Sequence, residues 1–197
     1  MKLRSARQAI HDAYALHLTG KSIGIDPREF WQEGASKKPD NNRQVCDAVE
    51  AGMIIAAVER LEEPYCSWAK WAYGPQTEHT LPEQGRFFQW LEQDVNCRLN
   101  SMERNYRQAT RDKIRDVVAY TVLDYRSYAV TERHRYPVKR IIKRCKIHRG
   151  NWPRDFQPWH DHYWNFCDRQ LDRTVLIPVA RVVHRLRHGR EKTSSDD

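Results

Sequence analysis

The chain has no long apolar run, and nothing in it approaches the ~20 consecutive apolar residues of a membrane-spanning helix. Segment 1–18 is amphipathic and has no apolar core followed by a small-residue cleavage site, so we expect no secretory signal. The 5 cysteines are widely spaced and include no C-x-x-C pair. Such a set favours buried, reduced thiols over a disulfide framework, which predicts a cytosolic protein.

Motifs for nucleotide or covalent chemistry are also missing: there is no G-x-G-x-x-G, phosphate-binding loop, G-x-S-x-G or H-E-x-x-H. The remaining candidates for a zinc or nuclease metal site are Cys145, His148, His160, Asp161, His162 and Cys167. Their spacing does not match the paired ligands of zinc motifs, and His160 and His162 point to different faces of a helix. The sequence therefore predicts no catalytic residues, no metal site and no cofactor.

No stretch shows the alternation of a β-strand, and no internal repeat occurs. Hydrophobic residues make up 40% of the chain and include 7 tryptophans, too many large side chains for a disordered protein. Apolar periodicity predicts an all-α, multi-helix protein that contains a trihelical helix-turn-helix DNA-binding unit. The predicted regions are an N-terminal helix and connector (1–42), an aromatic-rich helical region (43–102), a DNA-binding region (103–190) and a flexible tail (191–197).

Negative charge is absent from the segment 133–154, which carries nine basic residues in a chain of formal net charge +8. A solvated face normally mixes both signs, so this segment needs a counter-charge from a polyanionic partner. Val138, Ile141, Ile142 and Cys145 follow helical spacing within it. The pattern predicts a short amphipathic helix with one face in a core and the other face basic. An ordinary helical hairpin with a solvated basic face is the alternative.

The residues around this helix predict a helix-turn-helix. Pro137 suits a helix start, Gly150 suits a left-handed turn, and Asn151 suits an N-cap for a helix that opens at Trp152. We expect Lys139, Arg140, Lys143 and Arg144 to reach phosphates, and Asn151, Arg154 and Gln157 to face base edges. The complete predicted DNA-binding set is Lys139, Arg140, Lys143, Arg144, Lys146, Arg149, Asn151, Arg154 and Gln157.

An aromatic helix, YCSWAKWAYG, occupies residues 65–74. Exposed Trp and Tyr are frequent anchors of protein interfaces, so Trp68, Trp71 and Tyr73 are candidates for a protein contact. The alternative is a helix packed in the core, and this reading is favoured because helical aromatic stripes are more often buried.

Three segments in this order carry a resemblance to a known family: YCSWAKWAYG, then KIRDVVAYTVLDY, then RYPVKRIIKRCKIHRGNWPRDFQPWHDHYW. Together they resemble the late-gene antitermination protein Q of lambdoid phages, in the branch without the zinc finger of the phage lambda member. The resemblance runs from about Tyr65 to Arg181 and places the family's DNA-recognition region on residues 138–157. Pro153 and Pro158 depart from an unbroken recognition helix and predict a short or kinked one.

The resemblance implies a non-enzymatic factor that binds double-stranded DNA at the late promoter in the host cytoplasm, at the nucleoid. It implies loading onto host RNA polymerase, paused under the hold of the sigma factor, and readthrough of terminators near the exit of the nascent RNA, a further candidate partner. Two alternatives remain open at this point. One is a site-specific DNA-binding protein without polymerase loading, such as a repressor or a small terminase subunit, and the other is a phage nuclease that uses His160 and His162.

Overall fold

A computed structural model of the chain describes residues 6–19 and 41–193, and every regular element within these ranges is helical. The α-helices are α1 (Ala6–Thr19), α2 (Asn41–Glu59), α3 (Tyr65–Tyr73), α4 (Leu81–Ser101), α5 (Gln108–Thr131), α6 (Val138–Arg144), α7 (Gln157–Phe166) and α8 (Arg173–Thr193). The predicted all-α class is confirmed. The predicted connector at 22–42 lies almost entirely outside the described residues. None of the described helices is both long and apolar enough to cross a membrane.

The helices form two compact units, Met1–Glu83 with Thr174–Asp197 (unit 1) and Gln84–Arg173 (unit 2). In unit 1, α1 packs on α2 and α3, and the core contains Ile10, Ile54 and Trp68, each 0% exposed. Glu59 joins the three helices, since it accepts a hydrogen bond from the Tyr14 hydroxyl at 3.1 Å and pairs with Lys70 at 2.7 Å. The sequence-based division after residues 42, 102 and 190 stays a prediction.

The aromatic residues of α3 lie in the core of unit 1. Trp68, Trp71 and Tyr73 are 0%, 1% and 3% exposed, and the two indole rings meet edge to face at 5.6 Å. A side chain with no accessible surface cannot anchor a partner without unfolding its surroundings. The prediction of a protein contact through these three side chains is therefore corrected, and the alternative of core packing describes them.

The inward face of α2 also differs from its predicted apolar stripe. The spacing of Val45, Val49, Met53 and Ile54 predicts that these residues share the inward face of α2, yet the first three are 61%, 58% and 39% exposed. The buried face instead carries Ala51, Ile54 and Val58 together with Asp47 and Glu50. Apolar residues surround this helix on most sides, so periodicity alone does not decide which face the neighbouring helices cover.

In unit 2, α5 packs against both α6 and α7. The Trp90 and Phe166 rings stack at 5.6 Å and bring α4 to α7, where the Tyr163 hydroxyl donates to Asp94 Oδ2 at 2.6 Å. Burial and this carboxylate raise the pKa of Tyr163 above its usual range. The Tyr125 hydroxyl of α5 donates to Asp172 Oδ2 at 2.7 Å and joins α5 to the segment that follows α7.

The segment around Pro153 and Pro158, predicted to be a short or kinked helix, is helical but changes its winding. A π-helical turn covers Trp152–Phe156, α7 follows directly, and a second π-helical turn covers Cys167–Asp172. Pro153 lies in the first turn of its element, where a missing N–H removes no internal hydrogen bond, and Pro158 lies where the π-helical turn passes into α7. The prolines therefore coincide with the places where the helical winding changes.

Candidate nucleic-acid interface

Helix α6 has the two faces that its sequence predicts. Ile141 is 0% exposed and Cys145, directly after the helix, is 5% exposed, while Lys139 and Lys143 lie on the exposed side. Burial raises the pKa of the Cys145 thiol to about 11, so this side chain acts as a neutral, apolar group of the core. The buried face fixes the helix on α5, and the basic face is thereby held in one orientation.

The turn after α6 is a Schellman motif with a lysine at its left-handed position. The Ile147 N–H donates to Ile142 O at 3.0 Å, the Lys146 N–H donates to Lys143 O at 3.3 Å, and Lys146 has φ 50°. Glycine is the usual residue here, and sequence reasoning assigned the left-handed position to Gly150, which does not adopt positive φ. That assignment was wrong. Instead, the Gly150 N–H donates to His148 Nδ1 at 3.3 Å and starts the next turn.

Six cations of the predicted DNA-binding set lie on α6 or in the turn after it and are exposed: Lys139, Arg140, Lys143, Arg144, Lys146 and Arg149. Within residues 6–19 and 41–193, no carboxylate forms an ion pair with any of them. Their polar contacts preserve the charge: Arg140 Nη1 donates to the Arg135 carbonyl at 2.9 Å, and the Lys146 carbonyl accepts from Lys113 Nζ at 2.9 Å. The field of this surface is therefore not cancelled by the acids of the described chain.

The loop that leads into α6 is fixed by a buried carboxylate of α5. Asp124 is 2% exposed, and its Oδ1 accepts the Tyr136 N–H at 2.6 Å. Its Oδ2 lies 2.7 Å from His134 Nδ1, and the His134 ring stacks on Tyr128 at 4.9 Å. Asp124 therefore determines where the chain enters the basic helix. Sequence reasoning missed it, although a carboxylate within the apolar stripe of α5 is a usable signal.

The three predicted base-contacting residues are exposed but differ in their partners. The Arg154 guanidinium pairs with Asp155 through Nη2 at 2.9 Å, and Asp155 also pairs with Arg104 at 2.5 Å. The Arg154 hydrogen bond is the largest cause that holds the pKa of the Asp155 carboxyl below its usual range. Gln157 Nε2 donates to Asp161 Oδ2 at 3.4 Å. Asn151 occupies the predicted N-cap position of the element that opens at Trp152, but its side chain makes no capping hydrogen bond.

Comparison with protein-family models matched residues 50–196 to a model described as phage antitermination protein Q. The match covers more than half of the chain and includes all of unit 2. The chain belongs to the phage antitermination protein Q family. Comparisons with curated proteins and with solved structures gave no match.

Membership in the Q family implies late-gene antitermination, carried out in the host cytoplasm through interaction with DNA and with host RNA polymerase. The family consists of transcription factors, not enzymes, so the nuclease and the stand-alone DNA-binding alternatives are set aside. A cavity of about 390 Å³ beside the start of α6 does contain His134, His160 and Asp161 in its wall. No group of three metal ligands converges there or elsewhere within the described ranges.

Proposed function

We propose that the basic face of α6 and the turn after it bind the phosphate backbone of duplex DNA. In this proposal α6 and the segment from Asn151 into α7 act as a helix-turn-helix that enters the major groove, while α5 supports both from behind. The observation that carries it is the exposed group of six cations without a carboxylate partner in the described chain. Counterion release from phosphates would supply most of the affinity.

The base-reading role falls to Asn151, Arg154 and Gln157. Asp155 accepts hydrogen bonds from Nε and Nη2 of Arg154 and leaves Nη1 to other acceptors. A guanidinium held from one side can present its other donors to the N7 and O6 of a guanine with less loss of side-chain freedom. Arg154→Ala should therefore weaken binding to the specific DNA site by about 1–3 kcal/mol more than it weakens binding to an unrelated duplex.

The late promoter is the proposed DNA site, and the proposed sequel is loading onto host RNA polymerase paused nearby under the sigma factor. The loaded protein would then act beside the nascent RNA, where it prevents terminator hairpins from forming. Readthrough of a terminator with purified polymerase tests this sequence of events. Readthrough that is independent of the promoter DNA would contradict the loading step.

The direct test of the DNA interface is the salt dependence of binding. Lys143→Ala should lower the slope of log K against log salt by about 0.9 and weaken binding roughly eightfold at 0.1 M salt, on any duplex. Arg169→Ala is the matched control, because Arg169 is an exposed cation of unit 2 outside the basic segment. Equal slopes for Lys143→Ala and the parent chain would overturn the proposed interface.

A further inference from the structure

Arg144 differs from the other cations of α6 because two tyrosine rings hold it. The Tyr120 and Tyr136 rings lie 5.1 Å apart, centroid to centroid, at an angle of 54°. The Cζ of Arg144 lies 5.6 Å from the Tyr120 centroid and 5.3 Å from the Tyr136 centroid. Arg135 lies 5.5 Å from the Tyr136 ring, so two guanidinium groups share this aromatic pair.

The two rings are attached to parts of unit 2 that do not move independently. Tyr120 projects from α5 and is half-buried, and Tyr136 is half-buried on the loop whose backbone N–H is bound by Asp124. Tyr120 is also the largest cause that raises the pKa of the Arg144 guanidinium. An aromatic partner orients a cation without cancelling its charge, whereas a carboxylate would neutralise the field at the surface.

We propose that Tyr120 and Tyr136 are positioning residues that present the Arg144 guanidinium to one phosphate of a nucleic-acid backbone. The proposal rests on the proposed DNA interface and adds that its cations bind in two ways, some held in position by aromatic rings and some not. A long cationic side chain normally loses rotamer freedom when it binds, and holding it beforehand removes part of that loss. Lys143, which has no ring partner among the described residues, binds by charge alone in this scheme.

The test is a double-mutant cycle on the full chain. The probe is a synthetic duplex of arbitrary sequence, because a phosphate contact carries no sequence information. Tyr120→Leu should weaken binding about two- to fivefold when Arg144 is present, the equivalent of a cation–π contact at an exposed site. In the Arg144→Ala background the same change should have no effect, and Tyr120→Phe should keep most of the affinity of the parent.

Lys143→Ala provides the matched comparison. The fold losses of affinity from Lys143→Ala and Tyr120→Leu should simply multiply in the double variant, because the two residues act independently. If Tyr120→Leu lowers the affinity equally with and without Arg144, the ring supports the fold and does not position Arg144, and the proposal is overturned. If Tyr120→Leu lowers the thermal midpoint, Tyr136→Leu and Arg144→Lys complete the test. Arg144→Lys should weaken binding at least twofold despite its unchanged charge, because lysine lacks the planar guanidinium that lies beside both rings.

Failure of this inference is distinguishable from failure of the proposed DNA interface. If Lys143→Ala and Arg144→Ala lower the salt slope while the tyrosine changes are silent, the interface stands and the positioning role is refuted. If neither cation changes the slope, the interface itself is wrong and the inference falls with it. If the tyrosine substitutions weaken binding to a single-stranded probe more than binding to the duplex, the rings stack on bases, and the phosphate role is likewise refuted.

Discussion

Asp124→Ala should loosen the entrance to the basic helix and lower both stability and DNA affinity. The substitution removes the acceptor of the Tyr136 N–H and the partner of His134 Nδ1, both bound at 2.7 Å or less. Asp124 is 2% exposed, so water cannot easily replace the lost carboxylate. A hydrogen bond to a charged group contributes about 1.5–3 kcal/mol, and leaving a buried donor unpaired costs about 1–3 kcal/mol.

Because these two contributions overlap, we expect Asp124→Ala to lower the free energy of unfolding by about 2–4 kcal/mol. Asp124→Asn keeps an oxygen for the Tyr136 N–H and should lose only about half as much. Urea denaturation of the full chain gives the free energy of unfolding. Salt-dependent binding to duplex DNA, measured on the folded fraction, gives the effect on the basic face.

Asp116→Ala is the control, because Asp116 is an exposed carboxylate on the same helix and its loss changes the net charge equally. It should change stability by no more than about 0.5 kcal/mol. A stability of Asp124→Ala within that margin of the parent chain would refute the anchoring role. Unchanged DNA affinity in a destabilised Asp124→Ala protein would show that the loop does not position α6.

Four further outcomes follow from the burial and charges of single residues. Trp68→Ala should destabilise unit 1 by about 3–5 kcal/mol in urea denaturation, as a core residue and not as an interface anchor. Ile54→Ala should cost about 2–5 kcal/mol, whereas Val49→Ala on the exposed face of the same helix should stay within about 0.5 kcal/mol. Lys146→Gly should relieve a left-handed lysine and raise stability by about 1 kcal/mol while DNA binding weakens. Because the pKa of Asp155 is lowered on folding, its contribution is present above about pH 3.9 and is lost on further acidification, and Asp155→Asn should remove that part of the acid transition.

Helix positions and the two faces of α6 were predictable because they depend on local spacing. Val138, Ile141, Ile142 and Cys145 recur at helical intervals, and the structure buries Ile141 and Cys145 and half-buries the other two. The charged residues between these positions could then only lie outside. A short helix with so few apolar residues leaves no competing face, so periodicity gave the correct orientation.

The buried side of α2 could not be predicted from apolar spacing in the same way. Its apolar residues extend around most of the helix, and its two acids, Asp47 and Glu50, lie on the buried side. Neither acid is without a partner in the fold. Burial of a carboxylate depends on groups supplied from elsewhere in the chain, and no spacing within α2 reports them. The aromatic residues of α3 were ambiguous for a related reason, since Trp serves both cores and interfaces.

The general preference of glycine for positive φ predicted the wrong residue at the turn after α6. Glycine favours positive φ, so Gly150 was the natural candidate, yet α6 ends at Arg144 and the left-handed residue is Lys146, four positions before Gly150. The Schellman bonds and the buried Ile147 outweigh the cost of a left-handed lysine. A sequence optimised for stability alone would place glycine there, so Lys146 lowers the stability of this turn.

The carboxylates of unit 2 separate the two kinds of DNA contact that the sequence predicts. The cations of α6 have no acidic partner in the described chain, so in the proposed interface each would release counterions and add to affinity on any duplex. Arg154 and Gln157 are held by Asp155 and Asp161, so they contribute less net charge but keep a defined direction. Directional donors discriminate between bases, and free charges do not. It follows that Asp155→Asn should reduce discrimination between the specific site and unrelated duplex while the salt slope stays constant or increases, and a uniform loss on both duplexes would contradict this separation.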